Sequence, residues 1–193
     1  MAEEKITKKE IKKKKKIWIK IIAPKEFNDV EIGESLVTDA SDLLNRTVIA
    51  NLMMLTGDMK KQNVKIKFII KEVKEDTAIA DIYGYQIVKS YARRIIGDIK
   101  SRIEDSFLCD TKDAVKLRIK PLVLTRYKTK GSILKIIRKN IKSILIDEIK
   151  KQDYKEIIDS LISYQLQKEM KNKLSKIYPI SFFEIRILEK LGK

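Results

Sequence analysis

Lysine and arginine recur in the second half of the sequence first at the period of a strand and then at the period of a helix. In the stretch "KLRIK", the cations Lys116, Arg118 and Lys120 alternate with aliphatic residues, and alternate residues of a strand share one face. The three cations would stand about 7 Å apart, near the spacing of successive phosphates. This row predicts a surface that binds a polyanion through its phosphates.

A second set of cations has helical spacing. Positions i, i+3, i+4 and i+7 of one stripe are occupied by Lys135, Arg138, Lys139 and Lys142. The roughly opposite side, expected to face the core, carries Ile133, Ile137, Ile141 and Ile144. Like charges at i and i+4 destabilise an isolated helix by about 0.2–0.5 kcal/mol per pair, so this stripe favours an anionic partner.

Positive charge is concentrated in two segments of this chain of 193 residues and net charge +16. Residues 111–142 contain eleven lysines and arginines but one acid, Asp113, and residues 1–20 contain nine lysines and three acids. So large a charge costs self-repulsion unless an anionic partner screens it, and nucleic acid is the leading candidate. The loop cations Arg126, Lys128 and Lys130 would join the two rows into one patch.

The N-terminal lysines and a few aromatic residues extend the predicted nucleic-acid site. The run Lys12, Lys13, Lys14, Lys15 and Lys16 would order on meeting phosphate. Exposed aromatic rings could stack on unpaired bases, and the candidates are Trp18, Tyr127 between Arg126 and Lys128, and Tyr91 with Arg93 and Arg94. A position in the core or at its rim is the commoner outcome for a tryptophan such as Trp18.

Three other interpretations of these residues stay open. A single charged row is more often a solvated face than a binding site. A membrane surface would need an amphipathic helix with its apolar side free, but the helix beginning near Ser132 needs that side to cover the core. A free single-strand RNA-binding module would use the same cations and aromatic rings.

Catalysis has little support in this composition. The chain has no histidine and one cysteine, and its six glycines form neither a G-x-x-x-x-G-K nor a G-x-G-x-x-G pattern. The remaining enzyme hypothesis is a metal-dependent nuclease that uses Asp58, Glu72 and Lys74. An E-x-K triplet is common by chance in a strand rich in Lys and Glu. We therefore expect no enzyme, no metal and no cofactor.

The elements that position these residues are mainly strands, followed by helices. Strands are predicted over residues 17–22, 47–52, 63–73, 77–88, 99–109 and 115–124, with turns at "EIGES", "LTGD" and "EDT". The fold class expected is α+β, an antiparallel β-barrel of about six to seven strands with C-terminal helices packed on it and a final returning strand.

The division of the chain follows from the same patterns. Residues 1–16 are predicted to be a basic flexible N-terminal arm and residues 17–193 a single domain. Within that domain, residues 17–125 would be mainly strands, 131–176 mainly helices and 180–190 the last strand. Gly131 and Ser132 would form a break and the N-cap before the first helix, and Asp153 with Glu156 has the spacing of a capping box. No apolar run is long enough to span a bilayer, and we expect no export signal.

Six stretches of the chain, together spanning Lys13 to Lys190, resemble the archaeal and eukaryotic small-subunit ribosomal proteins of the S-three-a-e (S3Ae) family, also called eukaryote-type S-one. They are "KKKIWIKIIAPKEF", "EIGES", "LTGDMKKQNVKIKFIIKEV", "DIYGYQIVKSYARRI", "DTKDAVKLRIKPLVLTR" and "KIYPISFFEIRILEK". Each is soft alone, but six in this order are specific. The ending at Lys193 is more similar to an archaeal form.

The resemblance implies a structural component of the cytoplasmic small ribosomal subunit, without a catalytic site. Members of the family bind rRNA and neighbouring ribosomal proteins on the platform near the mRNA exit region, where mRNA itself is a further candidate contact. The resemblance places Lys12–Lys16, Arg93, Arg94 and Lys116–Lys130 in parts of the family rich in rRNA contacts. The stretch "IIGDIKSRIE" departs from the more basic sequence expected after the double arginine, and the 35 lysines against 8 arginines make base-specific recognition less favoured.

Overall fold

Nine strands and five α-helices are found in residues 15–74, 76–96 and 100–192, the parts of the chain that the computed structural model describes. The strands are β1 (Ile17–Ile22), β2 (Glu31–Val37), β3 (Thr47–Asn51), β4 (Val64–Lys74), β5 (Thr77–Ile87), β6 (Arg102–Glu104), β7 (Phe107–Asp110), β8 (Lys116–Thr125) and β9 (Ile180–Lys190). The helices are α1 (Leu52–Thr56), α2 (Lys89–Ile95), α3 (Gly131–Ile149), α4 (Tyr154–Ile162) and α5 (Gln165–Ser175). The predicted α+β class is confirmed.

All nine strands belong to one sheet. The order β2-β1-β5-β9-β8-β6 forms its main path, while β3 pairs with β4, β4 with β5, and β7 with β8. One side of β5 is paired with β4 along its length, and the other is shared between β1 at its start and β9 at its end. The β1–β5 pair is parallel, so the prediction of a wholly antiparallel sheet is wrong at this point. Closure into a barrel is not confirmed by these pairings.

The main core lies on one face of the sheet, which we call the inner face. Leu117, Ile119 and Val123 of β8 point into it, and Ile137 and Ile141 of α3 cover it. A smaller apolar cluster contains Leu122 and Leu124 of β8 and Ala92 of α2, and alternation puts these two leucines on the opposite, outer face. Helix α2 therefore covers part of the outer face.

The limits of several predicted strands are confirmed, whereas two regions differ. Strands β1, β4, β5, β8 and β9 lie within about one residue of their predicted positions, and β4 and β5 form the expected hairpin. The "EIGES" stretch is part of β2, not a turn. The predicted strand over 99–109 is two strands, β6 and β7, because the Asp105 side chain accepts the backbone N–H of Ser106 at 2.8 Å and interrupts the ladder. These differences raise the count from six or seven to nine.

The helical half differs from the prediction at two helix ends. Helix α3 begins at Gly131 with Lys130 at its N-cap position, so Ser132 is inside the helix and not its cap. The single helical pattern predicted from Asp153 is divided into α4 and α5 by Tyr164, whose φ of 60° lies in the left-handed region. The predicted capping box of Asp153 and Glu156 is confirmed at the start of α4.

Candidate nucleic-acid interface

The first predicted row of cations lies on the outer face of β8. Lys116 and Arg118 are exposed and Lys120 is half-buried, while Leu117 and Ile119 between them are fully buried in the main core. The predicted division of this strand into a charged face and an apolar face is therefore confirmed. The acid of this segment is used elsewhere, because the Asp113 carboxylate accepts the Tyr154 backbone N–H at the start of α4.

A glycine two strands away explains why Arg118 has no acidic partner. The residue beside Arg118 on the neighbouring strand β9 is Glu189. On its other side Glu189 is next to Gly84 of β5, and Gly84 is in turn next to Lys67 of β4. Gly84 has no side chain between these two, so Lys67 Nζ reaches Glu189 Oε1 at 3.4 Å. A Cβ at Gly84 would be 2.6 Å from the Leu188 carbonyl oxygen, so this close approach requires glycine.

The loop that follows β8 is held by hydrogen bonds to one buried threonine and one serine. The hydroxyl of Thr125 donates to the Tyr127 carbonyl oxygen at 2.7 Å and accepts the Ser101 backbone N–H at 3.0 Å. The Ser101 hydroxyl accepts the Thr129 backbone N–H at 3.0 Å. Arg126, Lys128 and Lys130 project from this anchored backbone and are exposed. A fixed loop loses little conformational entropy on binding, which favours its use as a contact.

Tyr127, at the centre of this loop, has the exposure that base stacking requires. Its side chain is 58% exposed, and the Arg126 guanidinium carbon lies 5.9 Å from the ring centroid. An arginine over the ring is a cation–π arrangement that a nucleotide base could extend. The similar pair of Arg94 and Tyr91 has a separation of 5.5 Å, but Tyr91 is half-buried.

The second predicted row is the solvent side of α3. Lys135, Arg138, Lys139 and Lys142 are all exposed, whereas Ile137 and Ile141 are buried and Ile133 and Ile144 are partly buried against the core. The cations of this stripe and those of the β8 row point in different directions, because α3 packs on the inner face of the sheet and the β8 row lies on the outer face. They are connected through the loop that follows β8, and their action as one patch stays a prediction.

The two arginines of α2 lie on the same side of the sheet as the β8 row. Ala92 packs on the outer-face residues Leu122 and Leu124, so α2 stands beside Lys120. Arg93 and Arg94 are exposed on this helix. The structure therefore brings together two groups of cations that are more than twenty residues apart in the sequence.

Two adjoining clefts, the first of them between α2 and the sheet, contain cations that sequence analysis did not select. A cleft of about 320 Å³ is lined by Lys89, Arg93, Arg102, Glu104 and Arg186, among others. Its neighbour, of about 420 Å³, shares Glu104 and Arg186 and adds Lys120. Arg186 Nη1 lies 3.3 Å from Glu104 Oε2, and Arg102 Nε lies 4.0 Å from Glu104 Oε1. The pairing of β8 with both β6 and β9 puts these arginines together, so no local motif could have indicated them.

We define the basic surface as the predicted cations of α2, β8, the following loop and α3. Its members are Arg93, Arg94, Lys116, Arg118, Lys120, Arg126, Lys128, Lys130, Lys135, Arg138, Lys139 and Lys142. Within residues 15–74, 76–96 and 100–192, none of them has a carboxylate oxygen within 4.0 Å. A lone lysine without a partner is common on any surface. Twelve on four connected elements are the arrangement expected of a polyanion-binding surface, and this role stays a prediction.

The remaining predicted residues are near the N-terminus. Lys12, Lys13 and Lys14 lie outside the described residues. Lys15 and Lys16 are exposed immediately before β1, and Trp18 on β1 is 61% exposed. Trp18 is therefore not a core residue, although a buried or rim position was the commoner expectation. Its cross-strand neighbour is Leu36 of β2, at a distance from the basic surface along the sheet order.

Three lysines elsewhere in the sheet, Lys67, Lys71 and Lys190, are paired with acids. Lys71 Nζ lies 2.6 Å and Lys190 Nζ 3.5 Å from Asp81 Oδ2. Partial burial acts to raise the pKa of Asp81, but the hydrogen bond from Lys71 and the charges of both lysines outweigh it, so the pKa is lowered. Burial likewise lowers the pKa of Lys190, against the opposing effect of Asp81. We call Lys67, Lys71 and Lys190 the paired lysines.

One acid is buried without a cation. Glu184 of β9 is 5% exposed, and its Oε1 accepts hydrogen bonds from Gln167 Nε2 at 2.9 Å and from the Tyr85 hydroxyl at 3.4 Å. Burial raises the pKa of Glu184 to about 7, although both hydrogen bonds act to lower it. The group joins β5, β9 and α5 in the core, and its role is structural.

The carboxylates of the nuclease hypothesis do not come together. Asp58 accepts the Lys60 backbone N–H before β4 begins, whereas Glu72 lies near the other end of that strand. Eight residues of strand separate Val64 from Glu72, which is on the order of 26 Å. In the described residues no three Cys, Asp or Glu side chains are arranged to hold a metal ion. None of the helices described has the length and apolar composition that crossing a bilayer requires.

The fold and the basic surface describe a class of protein first: an α+β protein with many exposed cations, as expected of a protein that binds a polyanion. Comparison with known proteins then gives the family. The family model described as the ribosomal S3Ae family matches residues 4–193, and the chain belongs to this family. It is a family of ribosomal proteins and not of enzymes.

Archaeal relatives cover nearly the whole chain. The chain is 34% identical over 179 residues to the small ribosomal subunit protein eS1 of Methanothermobacter thermautotrophicus, covering 91% of this chain and 92% of the relative. It is 33% identical over 172 residues to the protein of the same name from Methanobrevibacter smithii, with 89% of each covered. The corresponding protein of Nanoarchaeum equitans is 29% identical, with 90% of this chain and 87% of the relative covered.

Proposed function

We propose that this protein is a structural constituent of the cytoplasmic small ribosomal subunit and that it binds rRNA through the basic surface. The observation that carries the proposal is that twelve exposed or half-exposed cations on four connected elements have no carboxylate within 4.0 Å in the described structure. The names of the archaeal relatives support membership of the small ribosomal subunit, and the cations without acidic partners support contact with rRNA.

Binding would be mainly electrostatic. Each lysine placed on a phosphate releases condensed counterions, so the affinity should fall steeply as salt rises. Phosphate contacts position a protein without reading sequence. Lysine is a point charge without the bidentate geometry of arginine, and the excess of 35 lysines over 8 arginines favours this mode. The clefts around Glu104 would add Lys89, Arg102 and Arg186 to the RNA contacts.

The finer placement is also a proposal. We place the protein on the platform near the mRNA exit region, in contact with neighbouring ribosomal proteins and with mRNA as a further candidate. The sequence resemblance supports this placement. Residues 1–16 would act as a basic arm that adds Lys12–Lys16 to the RNA contacts, and residues 17–193 would dock as one domain.

A free single-strand RNA-binding module is the second candidate function. The exposed Tyr127 beside Arg126 favours it, because this pair offers a stacking platform outside any particle. The two functions differ in what the protein is bound to in the cell.

Gradient sedimentation of a cell lysate containing a tagged copy separates the two functions. Ribosome membership predicts stoichiometric co-sedimentation with small subunits at moderate salt and retention through subunit purification. Recovery only at the top of the gradient would contradict the proposal and support a free module. The Tyr127→Ala variant is the matched variant, because loss of a stacking platform should weaken a free module more than a protein held by many phosphates.

A further inference from the structure

The segment around β2 has a charge opposite to that of the rest of the protein. Residues 26–45 contain no lysine or arginine, in a chain of net charge +16. They contain six acids, which are Glu26, Asp29, Glu31, Glu34, Asp39 and Asp42. A phosphate backbone would be repelled by such a segment, so a protein that binds rRNA elsewhere has a different use for it.

Strand β2 is also an edge of the sheet. It pairs with β1 on one side, and within the described residues no strand pairs with its other side. Alternate residues of the seven-residue strand β2 therefore present free backbone N–H and C=O groups along that edge. Such an edge is a template for an added strand from another chain.

Exposed apolar side chains lie beside this edge. Leu36 of β2 is 41% exposed, and its cross-strand neighbour Trp18 is 61% exposed on the same face. Ile17, the residue before Trp18, is 52% exposed on the opposite face of the strand, so the exposed apolar pair beside this edge is Trp18 and Leu36. Large apolar side chains grouped on a surface mark contact sites, and tryptophan is enriched where partners bind strongly.

We propose that the β2 edge binds an extended, lysine- and arginine-rich segment of another protein by strand addition. The inference rests on the proposed function, since a neighbouring protein of the small subunit is the source of such a segment. The added strand would lie about 4.8 Å from β2 and would meet Glu31 and Glu34 directly. The lysines of this region are set back from the edge. Lys20 is on β1, one strand further in, and Lys16 immediately precedes β1.

The acids favour a protein partner over RNA, although Trp18 alone would suit a stacked base. Lys20 Nζ lies 3.2 Å from Glu31 Oε2 and 4.0 Å from Glu34 Oε1, so one lysine is shared between two acids and a negative excess remains. A basic segment would neutralise this excess, whereas a phosphate would add to it.

Two exposed leucines provide a matched photo-cross-linking test in assembled small subunits. Leu36 of the β2 edge and Leu108 of β7, which is the cross-strand neighbour of Arg118, are each replaced by p-benzoylphenylalanine. After irradiation, the adduct from position 36 should resist ribonuclease and contain a peptide with more Lys and Arg than Asp and Glu. The adduct from position 108 should be ribonuclease-sensitive.

Charge reversal gives the second arm. The Glu31→Lys/Glu34→Lys variant should lower the yield of the position-36 adduct by about 3- to 10-fold, as expected for weakened attraction to a basic segment. The control Asp147→Lys/Glu169→Lys changes the net charge equally on helical positions away from this edge and should leave the yield unchanged. Sedimentation is used to check that each variant still enters small subunits.

The outcomes separate this inference from the proposed function. A position-36 adduct with rRNA, with an acidic peptide, or with nothing, in subunits that contain the protein, overturns the inference alone. An equal loss of yield in both charge variants also overturns it. Absence of the unmodified protein from small subunits instead contradicts the proposed function.

Discussion

The paired lysines and the β8 cations of the basic surface are made of the same residue types on the same sheet, yet their surroundings are opposite. Lys67, Lys71 and Lys190 each lie within 3.5 Å of a carboxylate oxygen. Arg118 is one strand from Glu189 and has no such contact in the described structure. The difference shows that the count of cations does not identify an RNA site. The distribution of acids between neighbouring strands is the further criterion on which our prediction of that site depends.

Three acids near the basic surface are held by other partners. Most of these contacts join segments that are distant in the sequence. Gly84 lets Glu189 reach Lys67, which is 122 residues distant in the sequence. Asp113 caps α4, and Glu104 is held between Arg102 and Arg186. Each of these acids thus has another partner, and the twelve cations remain available to an external anion.

The largest effect is expected from matched triple substitutions. The Lys116→Gln/Arg118→Gln/Lys120→Gln variant should bind purified small-subunit rRNA about 100-fold more weakly at about 0.1 M salt, because three phosphate contacts are lost. The slope of log K against log salt should become shallower by roughly 2 to 3. Filter binding over a salt series measures both quantities.

The control for this experiment is the Lys67→Gln/Lys71→Gln/Lys190→Gln variant, which removes the same charge. Its salt slope should change by less than about 1. Its free energy of unfolding should fall instead, because Asp81 and Glu189 lose their partners. Equal losses of rRNA affinity in the two variants would break the comparison.

Glu184, a buried acid without a cation beside it, tests how an uncompensated charge affects the stability of the fold. The fold raises the pKa of Glu184 to about 7 from an unfolded value of 4.5, so the folded protein binds the proton more tightly. Stability is therefore greatest below about pH 4.5, falls as the pH rises to about 7 and is then constant with respect to this group. The Glu184→Gln variant should lack this slope and gain on the order of 3 kcal/mol at about pH 8.

Urea denaturation of both proteins between about pH 4.5 and 8 measures this difference. Glutamine is the replacement of choice at this position, because its amide oxygen can accept the same hydrogen bonds from Gln167 and Tyr85. Parallel stability profiles would show that Glu184 is not responsible.

A smaller effect is expected where a paired cation is released. The Glu104→Gln variant frees Arg102 and Arg186 in the clefts beside Lys120. The affinity for small-subunit rRNA should rise about 5-fold, and the salt slope should steepen by up to about 1. No gain in affinity would remove the clefts from the RNA interface and leave the rest of the basic surface as proposed.

The smallest effect concerns the cost of unpaired charge in the free protein. Lys139 stands one turn from Lys135, so Lys139→Gln should stabilise the protein by about 0.2–0.5 kcal/mol. Lys150, at the end of the same helix, interacts favourably with the helix dipole, so Lys150→Gln should destabilise it by a similar amount. Thermal unfolding distinguishes the two signs, and equal shifts would contradict the assignment.

The sequence predicted the faces of single elements but not their neighbours. Alternation in β8 and helical spacing in α3 indicated the buried and exposed sides correctly, because burial follows local periodicity. The break at Tyr164 was not predicted, since apolar residues continue at every fourth position through Leu166 and Met170. The left-handed φ of Tyr164 leaves no mark in that pattern.

The candidate site was predictable to the same extent. Its cations could be chosen from the sequence, because their spacing is local. The cover of Leu122 and Leu124 by α2, and the use of Glu104 by Arg186, depend on strand pairings between distant segments. The prediction therefore missed Lys89, Arg102 and Arg186 at the clefts. It also favoured a core or rim position for Trp18, which is exposed.

A cryo-EM map of the assembled small subunit tests the central claim most directly. The account predicts phosphate oxygens within hydrogen-bond distance, about 3 Å, of the cations of β8 and α3, and none beside Lys67, Lys71 or Lys190. Phosphates on the paired lysines, with Lys116, Arg118 and the α3 stripe facing solvent, would contradict it.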